Sequence, residues 1–223
     1  MNLTDVLLQQ SKQIWNDYLQ HPFITEMGND TLDRKKFEHY LIQDYLYLKE
    51  YTKVFCMGMI KSKTIEDMRF FHQAAGGTFE YETAVHINYL KGFGYSIEEL
   101  EQQEVELTTE SYTSYMQGVC LKGDLKEIVA AVLPCIWSYN YIGQHIIENY
   151  DVDENHFYKQ WIDSYSGEEF TQLTDDWIAY SNRLFADSSL EEQARLSEIF
   201  KKASLYELHF WDMAYEDVAE AVK

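Results

Sequence analysis

Positive charge is scarce in this chain: 18 Lys+Arg face 38 Asp+Glu, a formal net charge of -20 at pH 7. Gripping a phosphate backbone without regard to sequence needs the opposite sign, so nucleic acid and anionic membrane surfaces are excluded as partners. Glycine and proline are also few, Gly 10 and Pro 2 in 223 residues, where average usage would supply roughly 7% and 5%. So little punctuation excludes short-stranded β-sandwiches, collagen-like repeats and Pro/Gly-rich disorder. Cysteine is limited to Cys56, Cys120 and Cys135, an odd number without framework spacing, which reads as thiols in a reducing compartment. Long hydrophobic runs are missing as well. The longest, Ile128 to Trp137, falls far short of the roughly 20 residues of a membrane-spanning helix, and Met1 to Gln20 carries no basic segment followed by an apolar one. The expectation is a soluble cytoplasmic protein with no membrane partner.

What is present is ordinary globular material, 46% hydrophobic and 25% charged, in a chain long enough to bury most of its unfolded surface without staples. One domain spanning residues 1–223 is expected. Apolar residues recur at helical spacing nearly throughout, and neither sustained period-two alternation nor an Asn-Gly or Asp-Gly hairpin signal occurs. A first helix is expected from about Asp5 to Leu19 with Thr4 as N-cap, stopped by His21-Pro22. After Gly28-Asn29-Asp30 a long helix runs from about Leu32 toward Lys63, and a third continues from there to Gly92-Phe93-Gly94. Ser96 to Glu99 and Ser189 to Glu192 are capping boxes that mark helix starts. Further helices are expected at about 109–121, 125–148, 168–185 and 190–218. The fold class is all-α, a single-domain helical bundle.

Pro134 is the anomaly in this pattern, because it sits inside the apolar helical run Ile128 to Trp137. A proline there removes one backbone bond, clashes with the carbonyl of Ala130, and costs about 3 kcal/mol or more. Cys135 and Tyr139 follow at i and i+4, so they share a face just beyond the kink. Cys135 therefore reads two ways, as an inert core thiol or as a nucleophile. Asp44, Tyr47 and Tyr51 form a stripe at i, i+3 and i+7 on the long second helix, and Glu207, Phe210 and Trp211 repeat the arrangement on the last. Each stripe is either core aromatics beside a solvated acid, or an aromatic slot with a buried acceptor suited to a flat, donor-bearing heterocycle.

Spacing argues against several cofactors. None of the seven histidines lies three residues after a Glu, so the paired Glu-x-x-His set of di-iron bundles is missing. Cys-x-x-Cys, His-Glu-x-x-His and Gly-rich phosphate loops are missing too. Glu82 and His86 are an i, i+4 pair, which reads as a surface contact. A single axial haem ligand such as His21 has no spacing signature, and a lone histidine is more often structural.

The run Ala130-Ala-Val-Leu-Pro134-Cys135-Ile-Trp-Ser-Tyr139, followed by Ile142-Gly143, resembles the signature of the TenA/thiaminase II family in its cysteine-containing branch. Similar blocks follow the family's order along the chain: Leu41-Ile-Gln-Asp44-Tyr-Leu-Tyr47-Leu, Glu82-x-x-x-His86, Ser111-Tyr112-Thr113-x-Tyr115, Trp161-Ile-x-x-Tyr165-Ser166 and Tyr206-Glu207-x-x-Phe210-Trp211-Asp-Met-Ala214. The resemblance implies a haem-oxygenase-like helical fold, a homotetramer, and no metal or organic cofactor. It implies a hydrolase of thiamine salvage that converts 4-amino-5-aminomethyl-2-methylpyrimidine to the 5-hydroxymethyl compound and ammonia. It also implies cleavage of thiamine to that pyrimidine and the thiazole alcohol. Carried onto this chain, Cys135 is the nucleophile, Glu207 the acid/base, and Asp44 the acceptor for the aminopyrimidine edge. Tyr47 and Tyr139 wall or orient the ring, Tyr112 and Tyr165 are hydrogen-bonding neighbours, and Tyr51 and Phe210 support the pocket. Two other readings stand beside this one: a ligand- or haem-binding member of the same fold, and an indirectly acting regulatory interaction protein.

Overall fold

The computed structural model of the chain describes residues 2–78 and 83–216. Among them are eleven helices and no strand: α1 (Leu3–Gln20), α2 (Pro22–Gly28), α3 (Arg34–Lys61), α4 (Ile65–Gly77), α5 (Thr83–Gly92), α6 (Ile97–Leu100), α7 (Leu107–Lys122), α8 (Leu125–Asn149), α9 (Lys159–Ser166), α10 (Glu168–Phe185) and α11 (Leu190–Tyr215). No described helix is long and apolar enough to cross a membrane. Both expected capping boxes form, with the Ser96 and Ser189 hydroxyls accepting from the Glu99 and Glu192 amides, so two helix starts follow directly from sequence.

Two helices are central, each with a stretch that is buried on every side. In α3 every residue from Tyr40 to Leu48 is buried, and in α8 every residue from Glu127 to Ile136. α3 packs against α4, α5 and α7, while α8 packs against α9, α10 and α11. Buried apolar side chains from these helices join into one contiguous core. Pro134 lies inside α8, and the helix continues through it to Asn149. Tyr51 of α3 donates its hydroxyl to the Val132 carbonyl at 2.8 Å, a side-chain bond to the α8 backbone two residues before the proline. Gly143 marks where α8 and α9 touch. A Cβ there would lie 2.9 Å from the Ser166 amide nitrogen and from the Tyr165 carbonyl carbon.

Several boundaries differ from the sequence reading. Pro22 stops α1 and also opens α2 at its first turn, where a missing N–H costs nothing. The N-cap of α1 is Asn2, whose amide donates to the Asp5 carboxylate at 2.9 Å. Thr4 turns its hydroxyl instead to Asn182 Oδ1, also at 2.9 Å. The expected third helix is two helices, α4 and α5, with a Gly76-Gly77 pair closing α4. The far end of the expected last helix, to Val218, lies outside the described residues. The short α9, only 159–166, went unread because eight residues give too few repeats for a helical period.

Candidate active site

Five helices deliver the expected side chains to one buried region. α3 supplies Asp44, Tyr47 and Tyr51, α7 supplies Tyr112, α8 supplies Cys135 and Tyr139, α9 supplies Tyr165, and α11 supplies Glu207 and Phe210. Cys135 is 6% exposed, and Asp44 and Glu207 are each 2% exposed. Both acidic stripes thus face the core, and the reading of either as a solvated surface acid is excluded.

Two clusters meet there. In the first, Tyr112 donates its hydroxyl to Glu207 Oε1 at 2.6 Å, a short charge-assisted bond. The Tyr47 ring stacks on Tyr112 at 5.2 Å and on Tyr51 at 5.3 Å, and meets Phe210 edge-on at 5.7 Å. The Tyr47 hydroxyl makes a long contact to Met116 Sδ at 3.9 Å. In the second, Tyr40 is a hub. It accepts from Trp161 Nε1 at 3.1 Å and lies 3.3 Å from both Asp44 Oδ2 and the Tyr139 hydroxyl. Tyr139 packs in turn on Tyr165 at 4.8 Å and on Trp211 at 5.3 Å. The Tyr165 carbonyl is held by Asn140 Nδ2 at 2.9 Å, which ties α9 to α8 one residue beyond Tyr139.

Electrostatics join the two clusters. Burial pushes the Tyr47, Tyr112 and Tyr139 hydroxyls well above the ordinary phenol range. The next largest cause is negative charge at Cys135 for Tyr47, at Glu207 for Tyr112 and at Asp44 for Tyr139. Charge at Cys135 acts on all three rings. The tyrosines therefore stay protonated and present O–H donors around a thiol and two carboxylates, with little water to compete.

The other two thiols are differently placed. Cys120 is buried, and that burial pushes its thiol up to about 11, leaving it un-ionised at neutral pH. Cys56 is exposed on α3, although Val54 and Phe55 just before it are buried. His21 serves the backbone, its ring nitrogen Nδ1 accepting from the Phe23 amide at 3.1 Å to cap α2. Among the described residues no group of three or more His, Cys, Asp or Glu is arranged to hold a metal. An open groove of about 680 Å³ between α4 and α10, lined by Glu66, Arg69, Phe70, Asp176, Tyr180 and Arg183 among others, shares no residue with the site.

Sequence reasoning missed Tyr40, Trp161 and His86 as members of the site. Tyr40 lies one helical turn before Asp44, and that spacing alone could have found it. His86 was read as half of a surface pair with Glu82. Glu82 lies outside the described residues, and His86 is fully buried with its Nε2 at 3.2 Å from Asp44 Oδ2.

The class that these observations define is an all-helical protein whose core encloses a thiol, two carboxylates and a ring of tyrosines. The family model TENA/THI-4/PQQC matches residues 8–217, and the chain belongs to that family. It is 40% identical over 97% of its length to the aminopyrimidine aminohydrolase of Helicobacter pylori, all of whose length is covered. Among solved structures, a TenA homologue from P. horikoshii OT3 superposes with a TM-score of 0.85 at 27% identity, covering 96% of this chain and 99% of the other. A domain with a heme oxygenase-like fold from Shewanella denitrificans OS217 gives a TM-score of 0.74 at 14% identity, covering 97% and 93%. The expected fold is the one observed.

Proposed function

We propose that the chain is an aminopyrimidine aminohydrolase of thiamine salvage, acting through Cys135 on 4-amino-5-aminomethyl-2-methylpyrimidine and cleaving thiamine by the same chemistry. One observation carries the reading: Cys135, Glu207 and Asp44, from three different helices, are buried together among tyrosines, and the Tyr139 hydroxyl feels the charge of all three. A 4-aminopyrimidine is flat, electron-poor and edged by alternating donors and acceptors, which suits aromatic walls with a carboxylate at one edge.

In the proposed reaction the Cys135 thiolate adds to the ring carbon beside the substituted position, forming a C–S bond and breaking the ring's aromaticity. Asp44 assists the ring nitrogen that takes up the displaced electron pair. That pair returns to expel the amine from the exocyclic carbon, and Glu207 protonates it as it leaves. Glu207 then takes a proton from water as the water oxygen bonds to that same carbon. The C–S bond breaks, the ring regains aromaticity, and the thiolate is restored. Net consumption is one water per ammonia and alcohol released. With thiamine the leaving group is the thiazole. Tyr112, 2.6 Å from Glu207, holds the acid/base in place between its two proton transfers.

A homotetramer is part of the proposal. Ile60, Leu107, Leu121 and Leu190 are each more than two-thirds exposed, apolar surface suited to contact between copies. The direct test is product analysis after mixing the protein with the aminomethylpyrimidine and, separately, with thiamine. Ammonia and the hydroxymethylpyrimidine are expected from the first and the same pyrimidine from the second. Unchanged substrate in both mixtures would overturn the reading.

A further inference from the structure

His86 of α5 has a fully buried side chain, and neither ring nitrogen makes a hydrogen bond of good geometry. Burying a polar ring that way is costly unless something in the site needs it. The nearest partner is Asp44: Nε2 lies 3.2 Å from Oδ2, off the line of an ideal bond. Burial pushes the imidazolium down to about 3, so the ring is neutral, with one N–H to give. The same Oδ2 is approached by the Tyr40 hydroxyl at 3.3 Å. Trp161 Nε1, which is only a donor, occupies an acceptor position on the Tyr40 oxygen. That leaves the single Tyr40 proton to point at the carboxylate or at Tyr139. The His86 and Tyr40 rings meet edge-on at 6.1 Å, so the two side chains bracket Asp44 as one packed unit.

A carboxylate turns readily about its last torsion. An acceptor that must match the edge of a flat heterocycle needs its plane fixed to within about 10–20°. We infer that His86 is a positioning residue which, together with Tyr40, holds Asp44 Oδ2 and so sets the carboxylate plane that receives the aminopyrimidine edge. His86 touches no reacting atom in this account and works only through Asp44. The inference rests on the reading of Asp44 as the substrate acceptor.

The test compares His86→Leu, His86→Gln, Asp44→Asn and the double variant of His86→Leu with Asp44→Asn. For each, kcat and KM are measured with the aminomethylpyrimidine, and helical content is measured by circular dichroism. His86→Gln places an amide N–H near the position of Nε2 and should keep KM within about threefold of the parent. His86→Leu fills the volume without a donor and should raise KM at least about tenfold, because the polar contact that holds the charged Asp44 Oδ2 is gone. On the Asp44→Asn background the same Leu substitution should add less than about twofold, since what it positions is already altered. An unchanged KM for folded His86→Leu, or a full additive effect on the Asp44→Asn background, would overturn the inference. An unchanged KM for Asp44→Asn would instead overturn the reading of Asp44 itself. If His86→Leu does not fold, His86→Asn takes its place. Its shorter amide reaches the Nδ1 position only, so a KM as low as that of His86→Gln would refute the role of Nε2.

Discussion

Glu207 and Tyr112 face each other at 2.6 Å inside a region closed to solvent, and this contact separates two jobs that one carboxylate could do. If Glu207 moves protons, Glu207→Gln keeps shape and some hydrogen bonding while proton transfer is lost. In that case kcat should fall by about 10² to 10⁴ with affinity for the hydroxymethylpyrimidine nearly kept. A collapse of affinity with kcat intact would make Glu207 a binding group. Tyr51 offers a contrasting case on the opposite wall. Its hydroxyl bonds to the Val132 carbonyl, and its ring stacks on Tyr47. Tyr51→Phe keeps the stack and leaves a buried carbonyl with one donor fewer, so it should cost about 1–3 kcal/mol of stability while KM moves little. Urea denaturation measures the first quantity and steady-state kinetics the second. Much of this was legible from residue types: Asp44, Tyr47, Tyr112, Cys135, Tyr139, Tyr165, Glu207 and Phe210 were all named from motifs. Tyr40, one turn before Asp44, stands outside the quoted motifs, while Trp161 and His86 lie inside them, and no sequence pattern shows that their rings reach from α9 and α5 to Tyr40 and Asp44 on α3.

At the scale of the helix, α8 and α9 depend on one small residue. A Cβ at Gly143 would sit 2.9 Å from backbone atoms of Tyr165 and Ser166, and backbone cannot swing aside as a flexible side chain can. Gly143→Ala should therefore push α9 from α8, at about 1–3 kcal/mol for an overpacked contact. At this chain length that lowers Tm by roughly 2–4 °C per kcal/mol. The displaced Tyr165 should raise KM as well, whereas a Tm and KM equal to the parent's would show that the contact relaxes freely. The long helices α3, α7, α8, α10 and α11 were legible because each repeats its buried face over four turns or more. α2 and α9 were not, since seven and eight residues carry about two turns each. The split between α4 and α5 was read through as one helix because the apolar spacing persists on either side of it.

For the whole molecule, the tyrosines of the site, with Tyr18, whose buried hydroxyl donates to the Ser204 carbonyl, also set its response to alkali. Tyr18, Tyr40, Tyr47, Tyr112 and Tyr139 all have hydroxyls pushed well above their ordinary range, first by burial. In the unfolded chain they ionise near pH 10, so above that pH the unfolded state binds fewer protons than the native one and stability falls. Each such group contributes about 1.4 kcal/mol per pH unit. Together they should exhaust a typical stability of roughly 5–15 kcal/mol within about two pH units. These five rings should then contribute their tyrosinate absorbance in one cooperative step that coincides with loss of helical signal. Gradual titration of these rings in a still-helical protein would contradict their burial. Below pH 10 the same rings stay protonated around Cys135, and the central claim is that this thiol forms a bond to the substrate. The most direct measurement is the rate of ammonia release from the aminomethylpyrimidine by the parent and by Cys135→Ser, with native helical content verified for both. A serine hydroxyl is nearly isosteric but almost wholly un-ionised at neutral pH, so the account predicts steady release by the parent and none above background by the variant. A folded Cys135→Ser protein that releases ammonia at a rate comparable to the parent's would contradict it and assign the attack to water assisted by Glu207.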